Sequence, residues 1–133
     1  MAVLRAILAW SIVSTALHYT HNVVAIDEYP QATWISDTGV RVAIVVAWPL
    51  LTALAVWAYR QYERGNLRQA HVALAVYSLT GLSSLGHFAI DSVDLPAFWM
   101  ATIASDGLAG AAVLGFAVWS ELRRTPERRA AAA

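Results

Sequence analysis

The sequence predicts an all-α integral membrane protein: one domain, residues 1–133, with four transmembrane helices forming two tandem related hairpins and both termini in the cytoplasm. Three observations lead there. Apolar residues make up 59% of the 133-residue chain, where an ordinary soluble domain has ~45–50%. They gather into four runs, at roughly 6–26, 35–59, 70–91 and 98–120, each near the ~20 residues that a membrane helix requires. The arginines are one-sided. Arg5, Arg60, Arg64, Arg68, Arg123, Arg124, Arg128 and Arg129 flank the ends that share a side, and only Arg41 does not. The positive-inside rule makes that side cytoplasmic.

Each element follows in order. The first run starts after Arg5. It continues through His18 and Asn22, further than the short apolar core of a signal peptide. "DEYPQAT", with Pro30 and two acids, turns the chain on the outer side. The second run carries Pro49, which removes a helical N–H and leaves a carbonyl without its partner. "RQYERGNLR" closes the inner side, and the third run leads to "SVDLPA", a second short outer turn. Such short connections make neighbouring helices antiparallel. The fourth run ends in the basic tail "ELRRTPERRAAAA". Of the six tryptophans, most lie near run ends, as interfacial aromatics do. The protein is therefore expected in the cell membrane as a multi-pass chain, with the lipid bilayer as its first partner. Homo-oligomers or a larger membrane complex are further partners to expect.

Composition excludes several chemistries. No cysteine means no disulfide, thiolate metal site or cysteine nucleophile. No lysine means no Schiff base. Glycine-rich phosphate loops, nucleophile elbows and nucleic-acid-binding modules are all missing, so no nucleic-acid partner is expected.

Sliding the chain along itself by 69 residues aligns rare polar residues. Ser14 falls on Ser83, Thr15 on Ser84, His18 on His87, Asn22 on Asp91, and Asp37 on Asp106. This alignment predicts two repeats, 1–64 and 70–126. On a helix, Ser14, His18 and Asn22 share one face at four-residue spacing, and Ser83, His87 and Asp91 would share another. His21 lies close to the first stripe. Asp37 and Arg41 are spaced for an ion pair. Ionisable groups in a bilayer cost at least ~2.5–3.5 kcal/mol each on insertion scales, so they turn inward and pair.

Two imidazoles and several carboxylates from facing helices point to a divalent transition metal such as Zn, Fe or Cu. The expected ligands are His18, His87, Asp91, Asp106 and Asp37. Ser14, His21, Asn22, Ser83 and Arg41 are expected around them. A metal with an open position would make the protein a metal-dependent hydrolase or oxidoreductase acting on a membrane-embedded substrate. A closed site would suit a carrier. Two alternatives remain open. Diagonal histidines could ligate haem, with room provided by Gly81 and Gly86. A metal-free cavity could instead bind a ligand or conduct ions or protons. The pattern Ser14/His18 with Asp37, and again Ser83/His87 with Asp106, resembles membrane zinc hydrolases that include the alkaline ceramidases. That resemblance implies a zinc centre. It covers a few residues of seven-span proteins whose further His-x-x-x-His stands here as His87-x-x-x-Asp91.

Overall fold

The computed structural model describes residues 1–29, 35–88 and 95–131, with side chains as far as Arg124. Four helices carry the fold: α1 Ala2–Val24, α2 Asp37–Glu63, α3 Leu67–Ser84 and α4 Ala97–Ala131. Short 3₁₀ turns follow α1 (Ile26–Glu28) and α3 (Leu85–Phe88). Among the described residues there is no strand.

Local chemistry sets the boundaries. Ser36 caps α2, its hydroxyl accepting from the Gly39 N–H at 3.2 Å. The helix continues through Pro49. It ends in a Schellman turn: Gly65 adopts φ +78°, the Gly65 N–H reaches Tyr62 O at 3.1 Å, and the Asn66 N–H reaches Gln61 O at 2.9 Å. Only glycine enters that left-handed region at no steric cost. Helix α3 departs at once, antiparallel to α2.

The helices form a ring in chain order, with α4 closing on α1. Of the two diagonals, the α1 and α3 backbones approach each other, whereas α2 and α4 meet only through side chains among the described residues, with Tyr62 reaching Ser120 and Phe116. At the end holding the N-terminus, Leu4, Leu8, Ala55, Ala58, Leu74, Val113 and Phe116 fill the centre. At the opposite end Tyr29, Leu95 and Ile103 close the bundle, with Trp99 and Met100 packed beside them.

Three helices are long and apolar enough to cross a membrane: α1, α2 and the Ala97–Arg124 stretch of α4. The expected fourth span differs. Helix α3 stops at Ser84 rather than near Asp91, and its buried face carries His71, Tyr77, Ser78, Thr80 and Ser84. Its outward strip is apolar, with Val72, Val76 and Leu79 exposed. The polar groups that lower its hydropathy are therefore turned inward. With its 3₁₀ extension it is still ~35 Å long, at ~1.5 Å per α-helical and ~2.0 Å per 3₁₀ residue.

Helices α3 and α4 meet backbone to backbone. A Cβ at Gly110 would lie 2.7 Å from both Ser78 O and Leu82 N, and one at Gly81 would lie 3.0 Å from Gly110 itself. This glycine contact brings the last turn of α3 against the middle of α4 and positions the site.

Candidate functional site

Asp106 is the most enclosed polar residue of the bundle, with no solvent exposure. It faces the axis from α4, two turns in from that helix's start. Thr15 Oγ1 of α1 donates to its Oδ1 at 2.6 Å, and Ser84 Oγ of α3 donates to its Oδ2 at 2.7 Å. His18 Nδ1 meets the same Oδ2 at 3.1 Å. One carboxylate thus ties three helices together. Hydrogen bonds to a charged group contribute ~1.5–3 kcal/mol each, which is what allows a carboxylate to sit where water does not reach.

A carboxylate only accepts, so the His18 Nδ1 carries the proton and Nε2 offers its lone pair. Nε2 is met by the Asn22 Nδ2 at 3.1 Å, one helical turn further on. His18 is 1% exposed. Its ring stands edge-on to the His87 ring, centres 5.3 Å apart. The contact follows from the α1–α3 diagonal, because His87 lies in the 3₁₀ turn that prolongs α3.

Tyr29 covers both imidazoles from the end of the bundle opposite the N-terminus. Its ring centre lies 5.1 Å from His87 and 6.4 Å from His18. Its hydroxyl is 2.7 Å from His21 Nδ1. Burial, and then the neighbouring Glu28, push the Tyr29 phenol up to about 12. The phenol therefore keeps its proton over the ordinary pH range. His21 is also stacked on Trp99 at 3.9 Å and has Glu28 within 3.9 Å of Nε2.

The structure brings together His18, His87, Asp106, Asn22 and His21 of the expected set. It places others elsewhere. Asp37 is the exposed first residue of α2, and Arg41 is exposed one turn on. The expected Asp37–Arg41 ion pair is not among those of the described residues. Asp91 lies outside the described residues. Ser14 does not touch an imidazole; it donates to Ser105 Oγ at 3.0 Å, which Trp10 Nε1 also reaches at 3.1 Å. Ser83 is exposed and donates to Thr80 O at 2.9 Å. The reason is geometric. Helix α3 ends at Ser84, so His87 follows on a three-per-turn segment and no longer shares a face with Ser83.

The residues that sequence reasoning missed are Thr15 and Ser84. Each stands one position beyond the serine singled out, and the two align with each other in the 69-residue register. Tyr29, within the "DEYPQAT" turn, is a second omission. His71, in the first turns of α3, makes a further polar contact between helices. It bridges Glu121 Oε2 at 2.9 Å and Ser120 Oγ at 3.1 Å, and Tyr62 meets the same serine at 3.0 Å.

Among the described residues no three His, Asp or Glu side chains converge tightly enough to hold a metal ion. The centre offers two imidazoles, one of them backed by a carboxylate. Of the two glycines expected to make room for a porphyrin, Gly81 is instead packed on the α4 backbone at Asp106 and Gly110, whereas Gly86 has open space around its Cα. Comparison with known protein families, curated proteins and solved structures finds no match to this chain. Fold and site together define a class: an all-α, four-helix protein, apolar enough for a membrane, built around a buried histidine–aspartate centre.

Proposed function

We propose that the protein is a four-span membrane protein with both termini cytoplasmic, whose His18–His87 centre, in the outer half of the bilayer, binds a divalent transition-metal ion. Orientation rests on the arginines, which gather at the end holding the N-terminus, the α2–α3 turn and the end of α4. The observation that carries the metal reading is the pairing at His18. A metal-bound histidine typically donates its other ring nitrogen to a carboxylate, and Nδ1 of His18 is held that way by Asp106. Two imidazoles on one tetrahedral ion, with bonds of about 2.0–2.1 Å, put their ring centres about 5 Å apart. The His18–His87 spacing is 5.3 Å. Asp106 then acts as the orienting partner of a ligand rather than as a ligand. Asn22 is the group that yields, by turning its amide away from Nε2. Haem is disfavoured, because α4 fills the space at Gly81.

A second reading is favoured by Asn22 itself. In the structure both nitrogens of His18 have protein partners, which suits a metal-free hub that binds a proton or anchors an ion path. Elemental analysis and Co²⁺ titration of detergent-purified protein separate the two readings. The metal reading expects near-stoichiometric metal that is lost in the His18→Ala/His87→Ala variant and retained in Asn22→Ala. A wild type that is metal-free as purified and gives no visible Co²⁺ bands refutes it and leaves the proton hub.

A further inference from the structure

We infer that the groove between the inner ends of α2 and α3 is a binding site for one anionic phospholipid of the cytoplasmic leaflet. The inference rests on the membrane orientation proposed above and is independent of the metal. The groove has a volume of about 610 Å³ and is lined by Leu54 and Trp57 from α2 and by Arg68, Gln69, Val72 and Val76 from α3. Its chemistry is graded. Arg68 and Gln69 stand at the mouth, beside the α2–α3 turn. Trp57, Val72 and Val76 are exposed along its length. From Arg68 to Val76 the wall runs ~12 Å along the helix axis. A cation and a carboxamide at one end of an apolar trough match a phosphate above an acyl chain.

Charge narrows the occupant further. Of the inner arginines, Arg5 is held by the Tyr59 hydroxyl at 2.8 Å, Arg123 lies over the Trp119 ring at 4.6 Å, and Arg124 pairs with Glu121 at 3.2 Å. Arg60, Arg64 and Arg68 make no ion pair among the described residues. The turn they surround carries Glu63 as its acid. Three arginines against one glutamate leave the mouth net positive, so a zwitterionic headgroup gains less there than an anionic one.

The test is native mass spectrometry of the full chain in mild detergent, with phosphatidylglycerol or phosphatidylcholine added. One phosphatidylglycerol should remain bound under activation that strips phosphatidylcholine. Arg68→Gln should weaken its retention about fivefold, the effect expected for one basic residue near an anionic headgroup. Val76→Trp, which fills the trough, should abolish it. Arg41→Gln removes the same charge from the opposite end of α2 and should change nothing. Equal retention of the two lipids, or an Arg68→Gln variant that behaves as wild type, overturns the inference. Carbonate extraction of cell membranes tests the underlying membrane reading separately: a protein that washes off fails that reading, whereas one that stays but ignores headgroup charge fails only this one.

Discussion

Gly110 and Gly115 lie five residues apart on α4, yet an added methyl group should act with opposite sign at the two. At Gly115 a Cβ meets nothing within 4 Å. Alanine there lowers the entropy lost on folding and favours the helix, worth about 0.5–1 kcal/mol of added stability. At Gly110 the Cβ would stand 2.7 Å from Ser78 O and Leu82 N. Ordinary contact needs roughly 3.5 Å or more between such atoms, so α3 and α4 must part by several tenths of an ångström. Overpacking of this kind costs about 1–3 kcal/mol. The separation also pulls Ser84 from Asp106, whose bond is now 2.7 Å. Partial loss of that charge-assisted bond adds about 1 kcal/mol. The helix gain is common to both variants and cancels in the comparison, so Gly110→Ala should be less stable than Gly115→Ala by roughly 2–4 kcal/mol, the sum of overpacking and bond loss. Reversible unfolding in mixed micelles of increasing SDS fraction, followed by far-UV circular dichroism, measures the difference. Equal stability of the two variants would refute the backbone-to-backbone contact, and with it the account of how Ser84 reaches Asp106.

Two further outcomes follow from the site. Thr15→Val and Ser84→Ala each remove one hydroxyl from a buried carboxylate and should each cost about 1.5–3 kcal/mol. The double variant should depart from their sum by 0.5 kcal/mol or more, because both act on the same group; additive costs in the same unfolding assay would mean that the two hydroxyls do not share Asp106. At alkaline pH the Tyr29 phenol, pushed up to about 12 by burial and Glu28, binds its proton more tightly in the folded state. Stability from this group is thus fully present below pH 10 and is lost as pH rises from 10 through about 12. Tyr29→Phe should flatten that part of the stability profile, and an unchanged slope would place the phenol in solvent.

Much of the helical architecture was legible because its apolar runs are long enough to cross a membrane. Apolar runs of sufficient length can hardly be mistaken, and the histidine and aspartate at positions 18 and 106 stood out against them. Side-chain partners were harder to read. Ser14 and Thr15 are adjacent, so choosing the face that meets Asp106 requires the helix rotation to within one residue, about 100°. The choice at α3 depended on where the helix ends. Periodicity carried through to Asp91 puts Ser83 beside His87, whereas termination at Ser84 turns Ser84 inward instead. Gly86 follows that end by two residues, as Gly65 follows the end of α2, but it lacks the positive φ of Gly65, and the chain continues into a 3₁₀ turn. Asp37 was mistaken for a site residue because its match to Asp106 in the 69-residue register hides a difference in depth. The first is the leading residue of α2, and the second lies two turns inside α4.

The polar inner face of α3 also bears on how the chain is made. Several α3 hydroxyls bond back to their own helix: the buried Ser78 to Ala75 O and Thr80 to Tyr77 O, and the exposed Ser83 to Thr80 O. In the proposed four-span arrangement, α3 would enter lipid with those groups already satisfied. His71 and Ser84 find their interhelical partners, Glu121, Ser120 and Asp106, only on α4. Without the fourth helix, both residues lack these partners.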